Sequence, residues 1–466
     1  MTSFGVFAEQ PVSADVVPGL HPVVCRGALL ETPFVDIVIS RYFIYWELAC
    51  FNKMTAKPTR FLLVSTHVEQ VTGYAKVAYN LLKQLSTLHP IVKTFHFGFQ
   101  RSPVRGPSVM RPIENVTMYD AAANEDPRQQ GFGFNKLAEY IDTCSPDIVM
   151  IYNDPIVVNQ FLDAIKNVPK TFQVWVYLDQ VYEGCDQGLL RNIEKASDRI
   201  FCFTEKWMNY LKSRIPTTEK TLSVLEHGVD TAVFNRLSAS ERIATRKQMN
   251  MPADAILFLN MNRNSERKRL DLSVMAFVRL LERNPDLPLY MLFVTSMNPQ
   301  SGAHYNPIQI FMNELNLRKL DVLKYGQRIV TLDTAPPKMF DDRAVNTFYN
   351  ACDYGINTAN GEGFGLCQLE HLATGAPQVV INSGDYRAFL TDEVAEIIEP
   401  SSYSYLALNA GIGLTQKTAS VEEVTDAMER VLSKKNGDKC IELAKSRPWS
   451  RICDGFLEVV ATYSPA

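Results

Sequence analysis

The stretch Asn360 to Val380, NGEGFGLCQLEHLATGAPQVV, decides how the chain is read. Gly361, Gly363 and Gly365 alternate with Glu362 and Phe364. Leu366, Leu369, Leu372 and Ala373 then recur on one side at helical spacing, and Gly375 ends the pattern. Pro377 introduces Gln378-Val379-Val380-Ile381, the apolar run of a buried strand. Asp353-Tyr354-Gly355-Ile356-Asn357, just before the stretch, reads as another strand. A glycine loop between a strand and a helix start offers free backbone N–H groups and the positive end of a helix dipole to an anion. Glu362 in the loop and Glu370 in the helix flank that site.

Outward from this stretch, strands and helices alternate. Arg60–Ser65 reads as the first strand, followed by a loop from His67 to Gly73 and a helix from Tyr74 to Leu88. Strands are expected at Ile91–Phe97, Asp147–Tyr152, Phe172–Leu178 and Arg199–Thr204, with residues 98 to 131 as one long loop. After Gly228-Val229-Asp230 the alternation resumes with a strand at Ala255–Met261, a polar loop Asn262–Arg269 and a helix from Leu270. Further strands are expected at Leu289–Val294 and Arg328–Leu332. Such alternation predicts an α/β protein with parallel sheets covered by helices on both faces.

At 466 residues the chain exceeds what one hydrophobic core usually serves, so two domains are expected. A net charge of −4 excludes a global basic field, and with it nucleic acid as a partner. Nine scattered cysteines without a C-x-x-C pair suggest reduced thiols and a cytoplasmic setting. No stretch of about 18 uncharged apolar residues predicts a membrane span. Residues 1–58 differ from the rest, broken by Pro11, Pro18, Pro22 and Pro33. They read as a poorly ordered extension, or, over Phe34 to Phe51, as an amphipathic segment in peripheral contact with a membrane surface.

The pair Glu362 and Glu370, separated by seven residues, resembles the signature of retaining glycosyltransferases of family 4, which have the GT-B fold. The likeness extends over Tyr349-Asn350-Ala351-Cys352-Asp353, the glycine loop, and Ala373, Gly375 and Pro377. It implies two Rossmann-like domains facing each other across a cleft. Residues 59–235 would form the acceptor domain and 236–445 the nucleotide-sugar domain. Residues 446–466 would form a last helix returning to the first domain.

The resemblance also implies roles. Arg263 and Lys268 correspond to the family's pair that grips the diphosphate, with Arg267 the alternative to Lys268. Glu370 corresponds to the acid that takes the ribose hydroxyls, and Glu362 to the acid near the donor hexose. Gly363, Phe364, Gly365 and Leu366 would bind phosphate or sugar through their backbone. Gly73 stands for the acceptor-side glycine loop, and Thr331 for the base-contacting strand. Leu178 occupies the place where many members carry His, which shifts attention to Asp179; Asn153 and Asp154 are further candidates for the cleft wall. No Asp-x-Asp motif stands at a strand end, so no metal and no cofactor beyond the nucleotide-sugar donor is expected. The implied activity is transfer of a hexose from a nucleotide-diphosphate sugar to a glycan, lipid or protein acceptor with retention. The alternative is an inactive GT-B sugar-binding or scaffold protein.

Overall fold

The structure is a computed structural model that describes residues 57–103, 110–125, 130–215, 221–335, 340–407 and 413–463. The expectations for the N-terminal extension concern residues that lie almost entirely outside these ranges. Two parallel sheets organise the described chain. The first has seven strands: β1 (Thr59–Thr66), β2 (Val92–Phe99), β3 (Val116–Asp120), β4 (Ile148–Asn153), β5 (Gln173–Leu178), β6 (Arg199–Cys202) and β7 (Thr221–Val224). Their order is β3-β2-β1-β4-β5-β6-β7. The second has β8 (Ile256–Asn260), β9 (Leu289–Thr295), β10 (Ile329–Asp333), β11 (Tyr354–Asn357), β12 (Gln378–Ile381) and β13 (Ala395–Ile398), in the order β10-β9-β8-β11-β12-β13. An antiparallel hairpin, β14 (Ser402–Ala407) with β15 (Gly413–Thr418), follows. These two Rossmann-like domains are the predicted fold class.

The central strands are near-continuous apolar runs because helices cover both faces of each sheet. Side chains alternate through the second sheet: Leu257 and Leu259 of β8 enter one core while Phe258 enters the other. The same division puts Leu292 and Val294 of β9 with the first core and Met291 and Phe293 with the second.

One expectation is corrected. Residues 98–131 contain β3, which pairs in parallel with β2 from Thr94↔Val116 to Gly98↔Asp120. It is an edge strand with Thr117 and Met118 exposed, so it lacks the apolar run that marks a buried strand. A short helix, Leu137–Cys144, also follows that segment.

The chain passes between the sheets twice, and the two passages touch. The Val229 N–H donates to the Arg447 carbonyl at 2.9 Å. A side chain at Gly228 would come within 2.7 Å of the Trp449 backbone, so only glycine fits that approach. The returning helix, Trp449–Thr462, packs beside the helix Gly73–Ser86 of the first domain. Its Phe456 meets Phe61, Phe201 and Trp175 at ring distances of 6.0, 5.6 and 6.4 Å. Truncating a buried phenylalanine typically costs about 3–5 kcal/mol. Phe456→Ala should therefore lower the stability of the chain by that amount in urea unfolding; a loss under about 1 kcal/mol would show that the returning helix is not part of the first domain's core.

Candidate active site

The glycine loop sits between β11 and the helix Leu366–Leu372, as the sequence suggested. Gly365 adopts φ +97°, a left-handed conformation that suits glycine, and caps the helix. Among the described residues nothing accepts a hydrogen bond from the N–H groups of Phe364, Gly365 or Leu366. The Phe364 ring is buried, stacked on Phe389 at 4.6 Å, so only its backbone is available to a ligand. A buried network underlies the loop: the Asn357 amide donates to Gln368 at 3.0 Å, to Tyr386 at 2.6 Å and to Glu362 at 3.3 Å.

Glu362 is gripped from the Asn262–Arg269 loop. Lys268 donates to its carboxylate, and the Arg267 guanidinium lies 3.7 Å away. Arg267 also donates to the Gly361 carbonyl. Burial works to raise the Glu362 carboxyl, but Lys268 and Arg267 outweigh it and hold it below the usual range. Lys268 is lowered: burial and Arg267 together exceed the attraction of Glu362. Arg269, by contrast, pairs with Asp271 at 3.0 Å at the start of its own helix and is structural.

Asp179 comes from the first domain, one residue beyond β5. Among the described residues its Oδ1 has no hydrogen-bond partner, and it faces Gly363 so closely that any side chain there would collide with it. Tyr74 lies beside the same carboxylate and favours its charged form. Burial pushes the Asp179 carboxyl up to about 6, against the pull of Tyr74 and Arg267. Leu178 is fully buried in the core and does not face the loop.

The remaining expected residues are spread around this centre. Arg263 is exposed and makes no ion pair among the described residues. It lines a cavity of about 500 Å³ with Thr66, Gln70, Tyr74, Asn153 and Asp154 of the first domain. Asp154 also caps the helix Pro155–Ile165, accepting from Ile156 and Val157 at 2.9 and 3.0 Å. Gly73 opens the helix Gly73–Ser86, with Thr72 as its cap, and a side chain there would meet nothing within 4 Å. Thr331 is half-buried on the edge strand β10 and makes no hydrogen bond to the acid pair.

Glu370 is buried, and its two oxygens accept from Lys76 of the first domain at 2.7 and 2.9 Å. Tyr349 donates to it at 2.9 Å. Lys76, Asp342, Arg111 and Tyr74 were not singled out by sequence. Lys76 sits on an ordinary amphipathic helix, 294 positions from Glu370, and no local spacing signals the pair.

No family model matches the chain. A D-inositol 3-phosphate glycosyltransferase of Saccharomonospora viridis is 24% identical over 268 residues, 56% of this chain and 55% of that protein. The enzyme of the same name from Kineococcus radiotolerans is 28% identical over 207 residues, 44% of each chain. The chain thus spans about half the length of the relatives it matches. Among solved structures, sucrose-phosphate synthase of Thermosynechococcus elongatus is similar with TM-score 0.62 at 15% identity, covering 86% of this chain and 98% of that one. Anabaena HepE in complex with UDP and glucose gives TM-score 0.61 at 12% identity, covering 87% and 100%. The fold is that of GT-B glycosyltransferases.

The raised Asp179 carboxyl makes a testable statement about stability. A folded-state value near 6 against an unfolded value near 3.8 means that the folded chain holds the proton more tightly. This group therefore costs stability as pH rises from about 4 through 6, and the cost is complete above 6. Asp179→Asn should stabilise the fold by about 1–3 kcal/mol at pH 7.5 and by almost nothing at pH 4 in urea unfolding. An equal difference at both pH values would contradict the burial assigned to this carboxylate.

Proposed function

We propose that the chain is a glycosyltransferase that moves a hexose from a nucleotide-diphosphate sugar to an acceptor, with retention of anomeric configuration and without a metal. The observation that carries this reading is the pair Glu362 and Glu370 around a glycine loop with unpartnered N–H groups, with Lys268 and Arg267 beside it. In this reading the diphosphate lies against the helix start at Leu366, drawn by Lys268, Arg267 and the loop N–H groups. Glu370 accepts the vicinal ribose hydroxyls and Glu362 orients the hexose.

Transfer then breaks the bond from the sugar carbon to the diphosphate oxygen and forms one to the acceptor oxygen on the same face. The acceptor proton passes to the departing diphosphate oxygen. The side chains stabilise charge and orient, and none becomes covalently attached. Asp179 lines the acceptor side opposite Gly363. The names of the relatives and neighbours, D-inositol 3-phosphate glycosyltransferase and sucrose-phosphate synthase, support a phosphorylated polyol or sugar as acceptor. The cavity at Arg263 supports that class, because its exposed guanidinium can fork onto phosphate oxygens. The free thiols at Cys144, Cys185, Cys202, Cys352, Cys367, Cys440 and Cys453 support a cytoplasmic setting. Among the described residues no helix is long and apolar enough to cross a membrane. The inactive-scaffold alternative draws no support from this site.

Losing a charged hydrogen-bonding partner costs on the order of 1.5–3 kcal/mol. Lys268→Ala should therefore weaken nucleoside diphosphate binding by roughly 10- to 150-fold. Glu370→Gln should weaken both free nucleotide and intact donor. Glu362→Gln should leave free nucleotide bound at least as tightly, because it releases Lys268, while turnover falls. Calorimetry with UDP, ADP and GDP, beside turnover in EDTA with matched UDP-, ADP- and GDP-sugars and phosphorylated acceptors, decides these points. Equal loss of nucleotide binding in both acid variants would refute the division of roles, and dependence on added manganese would refute the metal-free part.

A further inference from the structure

Gly363 is the member of the glycine loop that rests against the first domain. Its carbonyl accepts from the indole N–H of buried Trp207 at 3.1 Å. Trp207 lies in the first turn of the helix Glu205–Arg214, which follows β6 and is capped by Thr204. The neighbouring Lys206 donates to the Gly384 carbonyl, and Gly384 packs against the Glu362 backbone. A side chain at Gly363 would collide with Asp179 and come within 3.1 Å of the Phe203 ring. The ends of β5 and β6 and the start of this helix thus form one first-domain seat for the loop.

That seat fixes a direction which the loop's own sequence leaves free. Gly361, Gly363 and Gly365 have no side chain to restrict them, and glycine tolerates either sign of φ. The Gly363–Phe364 peptide is trans and planar, so its carbonyl and its N–H point opposite ways. Holding the carbonyl on Trp207 therefore turns the Phe364 N–H away from the seat. Among the described residues that N–H has no acceptor. A flipped peptide would put a carbonyl oxygen, with its partial negative charge, where the N–H now points.

We propose that Trp207 is a positioning residue of the donor site: its indole N–H orients the Gly363–Phe364 peptide so that the Phe364 N–H, and not a carbonyl oxygen, is presented to the nucleotide-sugar donor. The proposal rests on the donor-binding role of the glycine loop given above. A preset peptide spares the donor the cost of ordering a loop of three glycines. It also keeps a donor N–H, already aimed, where negative charge gathers on the diphosphate. A side chain of the first domain thereby tunes a backbone group of the second.

The test uses the full chain and two matched variants. Trp207→Phe keeps a buried ring and removes the N–H. Trp175→Phe removes the N–H of another buried first-domain tryptophan, whose partner is Gln173 and not the loop. Calorimetry with UDP, ADP and GDP and their glucose conjugates reads donor binding. Trp207→Phe should weaken it roughly 5- to 50-fold, and Trp175→Phe by less than about twofold. With tryptophan isotope-labelled on the indole nitrogen, the resonance that Trp207→Phe removes should shift when nucleotide is added to the unaltered chain, and the Trp175 resonance should not. Unchanged donor affinity in Trp207→Phe, an equal loss in Trp175→Phe, or an unmoved Trp207 resonance with nucleotide bound would overturn the proposal and leave the transferase reading standing. If the unaltered chain binds none of these ligands at millimolar concentration, the transferase reading falls and this assignment falls with it.

Discussion

Residues 228–229 and 447–449 are where the chain passes between its two domains, and they pass side by side in backbone contact. This shared crossing sets the edge about which the domains meet, and the carboxyl ends of β5 and β11 then point into the same space. His227 fills the crossing, with its ring 4.3 Å from Phe203, 4.8 Å from Phe364 and 5.8 Å from Trp449. Burial pushes this imidazole down to about 3, so it is neutral and packs as an aromatic. The same wedge touches the glycine loop through Phe364 and the returning helix through Trp449. Loop geometry and domain geometry are therefore set by one apolar contact.

Charge in the cleft follows from that closeness. Lys76, Arg111, Arg267 and Lys268 face Glu362, Glu370, Asp342 and Asp179. Each of these cations has a carboxylate beside it, because an unpaired charge taken out of water is costly. The charged groups that line the cleft satisfy one another across it. Under the proposed function, a diphosphate would replace carboxylates as the partner of these cations, and its affinity would measure the difference between the two pairings.

Much of this was legible in the sequence, and the rest has identifiable causes. The strand, glycine loop and helix around Asn360–Val380 were readable because glycine, apolar period and Pro377 all agree locally. The edge strand β3 was not, because its exposed positions carry no apolar run. The helices Ala239–Gln248 and Val421–Val431 were passed over although each begins with a capping box, Ser238 with Glu241 and Ser420 with Glu423. The grouping of Arg263 with Lys268 came from the resemblance and from the place of their loop after a strand of the second domain. In the structure the exposed Arg263 faces the first-domain cavity while the buried Lys268 turns to Glu362. Lys76 could not be read from any pattern, since its partner is fixed only by how the domains meet.

The departure at Leu178 has a simple geometric consequence. Successive side chains of an extended segment point to opposite sides. Leu178 takes the core side and Asp179 the cleft side, where it faces Gly363 of the glycine loop. Its burial brings a carboxyl up to about 6, close to where an exposed imidazole of about 6.5 would titrate. The two groups differ in the sign of the change. As pH falls through 6 an imidazole adds a positive charge, whereas Asp179 loses a negative one. For an anion held at the Leu366 helix start, both changes make the first-domain wall less repulsive. A leucine at 178 therefore leaves the cleft a group that titrates near neutral pH, reached through burial and not through the choice of side chain.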